Sequence, residues 1–203
     1  MVIILDYGIG NLTAIQNMLK KAGCAEVTIS NQAEDLARAD KIILPGVGHF
    51  KYCMTQLRRA AFFETLEDCI LNQKKPILGV CVGHQMLFEN SEEGNCVGLG
   101  WIPGQVVRFD KTRMPENYKI PHMAWTDVQV KPGTILFKNQ VDPRFYFAHS
   151  YHAICPEAYV CATAHFGYEF VASVQRDNIF GVQFHPEKSH RFGMVVYQNF
   201  LEI

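Results

Sequence analysis

The chain has 203 residues, 48% hydrophobic and 19% charged, enough for one good core and short of what two full domains need, so a single domain over residues 1–203 is expected. Nineteen Lys and Arg against 20 Asp and Glu leave a net charge of -1, with no basic block and no acidic tail. That balance argues against a nucleic-acid or membrane-surface partner and for small molecules or other proteins.

The seven cysteines, at 24, 53, 69, 81, 96, 155 and 161, are odd in number and contain no CxxC pair, so they read as reduced thiols of a cytosolic protein, not as a disulfide or zinc framework. The apolar start Val2–Leu5 is too short for a signal core. No charge-free run approaches the roughly 18 to 20 residues of a membrane span, so a soluble, cytoplasmic protein is expected.

The first half alternates strand and helix. Val2–Leu5 is a continuous apolar run of the kind covered on both faces of a sheet. After the turn at Tyr7-Gly8-Ile9-Gly10, Asn11 can cap a helix whose Leu12, Ile15, Met18, Leu19 and Ala22 recur at helical spacing, and Gly23 stops it. Strands follow at Glu26–Ile29 and Lys41–Leu44, the second ending in Pro45-Gly46-Val47-Gly48. A largely helical stretch runs to about Leu71, then a strand at Ile77–Val80 and a helix starting over Val82–Phe88.

This order favours a parallel sheet with right-handed crossovers. In the second half, Gln105–Phe109, Asp127–Val130, Arg144–His149, Ala158–Ala164, Phe170–Val174 and Ile179–Gln183 are strand-like and separated by short turns, which adds an antiparallel portion. The polar stretch Asp110–Lys119 reads as the most flexible loop. A last helix begins near Ser189 or His190 and buries Phe192, Val195, Val196 and Phe200.

One pentapeptide stands out, Gly79-Val80-Cys81-Val82-Gly83. A side chain held between the end of a buried strand and the start of a helix needs a very sharp turn, and glycines two residues to either side make room for it, as in the serine elbow GxSxG. The helix amino terminus favours a thiolate and aims backbone N–H groups at a developing oxyanion. Alone, the pattern reads equally well as close helix packing.

The segment Phe180-Gly181-Val182-Gln183-Phe184-His185-Pro186-Glu187-Lys188-Ser189 changes that balance. A thiol nucleophile needs a base, and the base needs an orienting acceptor. His185 and Glu187 stand two residues apart at a strand end, where both point to one side.

PGVG at 45–48, GVCVGHQ at 79–85, HSYH at 149–152 and GVQFHPEKS at 181–189 resemble, in that order, the class I glutamine amidotransferases with a Cys-His-Glu triad. DYGIGNL at 6–12, LPGVGHF at 44–50, PHMAW at 121–125 and YFAHSYH at 146–152 are similar to the glutaminase subunits of imidazole glycerol phosphate synthase. The resemblance spans essentially the whole chain. It implies the three-layer α/β amidotransferase fold, a central mostly parallel sheet with helices on both faces and an added antiparallel portion.

It further implies that Cys81 attacks the side-chain amide of L-glutamine to give a glutamyl thioester and ammonia, with His185 as base and Glu187 orienting it. Val82 and the loop at Val47 and Gly48 would supply oxyanion donors; Gln85, Ser150 and Tyr151 would bind the glutamine head group. No cofactor and no metal are implied. Asn11, Trp125 and Lys188 would lie at or near the face that docks a synthase (cyclase) subunit in a heterodimer, to which ammonia is channelled, and the oxyanion loop would become competent when that partner binds its ligand.

Two positions depart from the pattern. Ala124-Trp125-Thr126 stands where Gly-Trp-Asn is usual, and His84 stands where methionine is usual. The first departure lies in the segment expected to meet the partner. It keeps a second pathway open, in which a paralogous subunit of this kind feeds an amidotransferase that makes amidines on surface-glycan sugars. Other classes also stand beside the glutaminase: a stand-alone cysteine hydrolase, a non-catalytic docking subunit, and a metal hydrolase using His149, His152, Cys81, His84 and His185.

Overall fold

The computed structural model describes all residues 1–203. In chain order its strands are β1 Val2–Leu5, β2 Val27–Ser30, β3 Lys41–Leu44, β4 Ile77–Val80, β5 Asn90–Ser91, β6 Cys96–Val97, β7 Gln105–Arg108, β8 His122–Val130, β9 Arg144–His149, β10 Tyr151–Ile154, β11 Val160–Phe166, β12 Tyr168–Arg176 and β13 Ile179–Val182. The helices are α1 Leu12–Lys21, α2 Ala33–Arg38, α3 Phe50–Arg59, α4 Phe63–Glu67, α5 Val82–Met86 and α6 His190–Leu201.

Nine strands form one sheet in the order β2-β1-β3-β4-β13-β12-β11-β8-β9. Pairing is parallel from β2 to β13 and antiparallel from there to β9. The antiparallel portion therefore continues the parallel sheet edge to edge. Helix α1 packs with α6 and α2 with α4, so both faces are covered. That is why β1, β4 and β13 are buried at every position, as continuous apolar runs require.

The start of α1 follows its cap: the Asn11 side chain accepts from the Ala14 N–H at 3.3 Å, and Gly23 after the helix has φ +103°, the left-handed conformation glycine adopts at low cost. The helical stretch after β3 breaks at Ala60 and ends in a π turn, Asp68–Asn72. In α6, Val196 and Phe200 are buried with Tyr197, whereas Phe192 and Val195 are only half-buried.

Three features were not anticipated. Strand β8 begins at His122, not Asp127, because its first half pairs with β9. Tyr151–Ile154 forms β10. With β7, β5 and β6 that strand makes a second, four-stranded sheet, built from pieces too short to show a period of two. The loop Asp110–Lys119 opens on a single turn, Lys111–Arg113, capped by Asp110, which accepts from the Thr112 N–H at 2.9 Å, and the Arg113 guanidinium lies 4.1 Å from the Tyr168 ring centre.

Candidate active site

Cys81 joins β4 to α5 with φ +56° and ψ -109°, a backbone strain rarely accepted by a residue with a side chain. The surrounding packing holds it there. A Cβ on Gly79 would lie 2.7 Å from the Gly83 carbonyl oxygen, and one on Gly83 only 2.0 Å from that of Leu44. Gly79 thus serves the elbow as expected, whereas Gly83 is needed for the approach of α5 to β3. The Cys81 N–H donates to Val182 of β13 at 2.9 Å, which ties the turn to the neighbouring strand.

Three residues past the end of β13 sits His185, 3% exposed. Its Nδ1 is 2.8 Å from Oε1 of Glu187, whose side chain is likewise 3% exposed. A single turn at Pro186–Lys188 presents both. The Ser189 hydroxyl fixes it, donating to the His185 carbonyl at 2.6 Å and accepting from the Tyr146 N–H at 3.0 Å. Burial opposes a proton on His185, but it is outweighed by the charge and hydrogen bonding of Cys81 and then by Glu187, which together push the imidazole up to about 10.

Thiol and imidazole open on a cleft of about 290 Å³ lined by Val47, Gly48, Cys81, Val82, Gln85, Glu93, His149, Ser150, Tyr151, His185 and Lys188 among others. The Pro45–Gly48 loop lies against the elbow, for a Cβ on Gly46 would come within 2.4 Å of the Gly83 nitrogen. The buried Tyr7 hydroxyl donates to the Pro45 carbonyl, and Val82 N–H donates to the Gly46 carbonyl at 3.2 Å. Gln85, 2% exposed, commits its amide nitrogen to the Tyr151 carbonyl and to Oε1 of the fully buried Gln183, each at 3.0 Å. Only its oxygen is left for a guest.

A family model for class-I glutamine amidotransferases matches residues 3–203. The chain belongs to the class-I glutamine amidotransferase family. Similar curated proteins include the Imidazole glycerol phosphate synthase subunit HisH of Bdellovibrio bacteriovorus, 45% identical over 205 residues with 100% of both chains covered. Others are subunit HisH of Leptospira borgpetersenii, 44% identical over 205 residues, and subunit HisH 2 of Pseudomonas aeruginosa, 42% identical over 205 residues, again with 100% of each chain covered. Among solved structures, a glutamine amidotransferase superposes with a TM-score of 0.76 at 18% identity, covering 100% of this chain and 98% of the other. PurLQS from Thermotoga maritima gives 0.70 at 20% identity over 99% and 97%. These two show the fold.

The other positions expected to matter in this amidotransferase chain fall into two sets. Val47, Gly48, Gln85, Ser150, Tyr151 and Lys188 line the cleft with the thiol; Asn11 and Trp125 do not. Trp125 is 36% exposed and stacks on His190, ring centres 5.5 Å apart at 5°. Lys188 lies 5.7 Å from the Tyr146 ring centre. Thr126 is half-buried and bonds His122 at 2.8 Å, so its side chain turns inward.

Sequence reasoning missed Glu93, which lines the cleft and accepts from the Phe50 N–H at 2.7 Å, as well as Gln183 and the Tyr7 hydroxyl. Glu93 lies in the turn after β5, in a segment with no periodic signal; the Gln183 side chain shows only as a polar residue inside an apolar run. His84, fully buried with both ring nitrogens unpartnered, is lowered by burial to about 3 and packs edge-on to Phe88. No group of three or more His, Cys, Asp or Glu side chains is arranged to hold a metal ion. All seven cysteines are unpaired.

Proposed function

We propose that this chain is a glutaminase subunit that hydrolyses L-glutamine with Cys81 as nucleophile, His185 as acid and base and Glu187 as its orienting carboxylate, and passes ammonia to a synthase (cyclase) subunit. The reading is carried by one observation: a thiol on a strained elbow shares a cleft with a buried imidazole bonded to a buried carboxylate. The thiol proton rests on His185, which stands as imidazolium beside the thiolate; the thiolate adds to the amide carbon, and the oxyanion is met by backbone N–H groups. On collapse His185 gives its proton to the leaving nitrogen, releasing ammonia and a thioester. Water then adds with His185 as base, and glutamate leaves.

The cleft suits the substrate. Gln85 Oε1 and the Glu93 carboxylate are acceptors for the amino-acid ammonium, and the Ser150–Tyr151 backbone and Val47–Gly48 frame the rest. The expected donor Val82 N–H is engaged by Gly46. This supports a subunit that is nearly silent until its partner shifts the Pro45–Gly48 loop.

The partner of choice is the cyclase subunit of imidazole glycerol phosphate synthase, in a cytoplasmic heterodimer of histidine biosynthesis. Relatives named as subunit HisH of imidazole glycerol phosphate synthase match over their full length at 44–45% identity. Trp125, Lys188 and Asn11 would meet it. The test is glutamate release from glutamine by the chain mixed with the cyclase subunit of its own organism, with and without the cyclase's nucleotide ligand, and with Cys81→Ala as blank. Ligand-dependent release is expected. No release from folded protein would discard the histidine pathway and favour the surface-glycan amidotransferase as partner.

A further inference from the structure

Beneath the cleft, β8 and β9 set two histidines opposite each other. His122 and His149 are cross-strand partners, 1% and 6% exposed, with Nδ1 of His122 3.2 Å from Nε2 of His149. Nδ1 of His149 lies 2.7 Å from the Tyr151 carbonyl oxygen, and Nε2 of His122 lies 2.8 Å from the Thr126 hydroxyl.

The direction of every bond follows from the carbonyl end. A carbonyl only accepts, so His149 carries its hydrogen on Nδ1. Burial first, and His122 second, hold His149 well below the ordinary imidazole range, so the ring is neutral and its Nε2 is bare. That nitrogen accepts from Nδ1–H of His122. Burial lowers His122 to about 4, so its Nε2 is bare in turn and accepts from the Thr126 O–H.

The result is a one-way chain from Thr126 through His122 and His149 to Tyr151. The His122 ring is clamped between Phe147 and Phe166, with ring centres 5.0 and 4.3 Å away and planes within 21°. The Tyr151 carbonyl at its end is the one that also receives the Gln85 amide at 3.0 Å.

We propose that Thr126, His122 and His149 are positioning residues for glutamine: their hydrogen-bond chain fixes the tilt of the Ser150–Tyr151 backbone and, through the shared carbonyl, the orientation of Gln85. The inference rests on the glutaminase reading of the cleft. It gives Thr126 a task inside the protein although its neighbour Trp125 is exposed on the same strand. Loss of the Thr126 donor leaves the His122 Nε2 buried and unsatisfied and weakens the bonds that follow it to the Tyr151 carbonyl, since successive hydrogen bonds polarise one another.

Thr126→Val keeps the shape and removes the donor; Thr126→Ser keeps the donor. In the assembled enzyme the valine form raises KM for glutamine about three- to ten-fold, the effect of one net hydrogen bond, with kcat changed less than about two-fold, and the serine form restores KM. In full-length chain carrying Cys81→Ala, calorimetric glutamine affinity falls by the same factor with valine and not with serine. Nitrogen-15 imidazole spectra show Nδ1–H on both histidines, and the valine variant keeps that form, because the carbonyl end sets both tautomers, while the His122 Nε2 signal shifts on losing its donor. Equal glutamine affinity in the threonine, serine and valine forms, or Nε2–H on His149 in the unaltered protein, would overturn the proposal and leave the glutaminase reading standing. Glutamine bound but never hydrolysed by the unaltered assembly would sink the hydrolytic reading alone.

Discussion

Val82 donates its backbone N–H to the Gly46 carbonyl at 3.2 Å, so a donor at the start of α5 is taken up by the loop beside it. One residue on, the Val47 carbonyl is held from below by the Cys53 thiol at 3.4 Å. Burial, and then the nearby Cys81 and Glu93, push the Cys53 thiol up to about 12, so it stays a donor. Cys53→Ala removes a weak bond worth about 0.5–1 kcal/mol and is expected to raise partner-free glutamine hydrolysis about two- to five-fold. Cys53→Ser, a better donor, leaves it unchanged or lowers it. Glutamate release by the isolated chain checks both signs; equal rates in all three forms would discard the latch.

Gly83 has no room for a methyl group, 2.0 Å from the Leu44 oxygen. Backbone cannot swing aside as a side chain does, so Gly83→Ala is expected to cost about 2–3 kcal/mol or more. Gly133, at φ +80° with nothing within 4 Å of an added Cβ, should lose only about 1 kcal/mol as alanine, from backbone strain. Urea unfolding of the two variants gives the comparison, and a similar loss in both would refute it.

For His185, burial acts to lower the pKa while Cys81 and Glu187 raise it to about 10. The imidazole is therefore expected to hold its proton through about pH 6 to 8, the range in which an ordinary histidine titrates. In Cys81→Ala the strongest opposing influence is gone, burial remains, and the pKa falls. Proton NMR titration of His185 reads this directly; identical curves in the two proteins would contradict the assignment. Glu187→Gln, which replaces the carboxylate on Nδ1, should lower kcat of the assembled enzyme by roughly 10²- to 10⁴-fold.

Trp125 is 36% exposed and stacked on His190, a large rigid surface beside the cleft and unlike a core tryptophan. Trp125→Ala is expected to weaken cyclase binding by about 2 kcal/mol or more, the scale of an aromatic interface anchor, and to leave the melting temperature of the free chain within about 2 °C. Calorimetric titration against the cyclase subunit decides it. Unchanged affinity would move the docking face elsewhere.

What the sequence made legible is what local chemistry encodes. β3, β4 and β9 were read at their observed limits because apolar runs bounded by turn residues mark them, and the Cys81 turn was read from glycine spacing. His185 and Glu187 do pair, but not by the strand geometry expected of them: β13 has ended at Val182, and the turn at Pro186–Lys188 brings the carboxylate to the ring. The first half of β8, all of β10 and the short β5 and β6 were not legible, since their patterning depends on neighbours far along the chain. Likewise Thr126 looked like part of an outer surface: its residue type is silent on whether it turns toward Trp125's side or toward His122. Tyr7 on Pro45 and Gln183 on Gln85 are partnerships across 38 and 98 positions that no local window contains.

Cys81 and His185 follow the ends of β4 and β13, which lie side by side in parallel with Gly79 opposite Gly181. Neighbouring strands keep a spacing of about 4.8 Å set by backbone hydrogen bonds, among the stiffest lengths in a protein. The sheet's own lattice thus fixes where the two segments leave it, independently of side-chain repacking elsewhere. What remains adjustable is the turn at Cys81 and the short segment from Val182 to His185, so any control over this pair from outside acts on those two pieces of backbone.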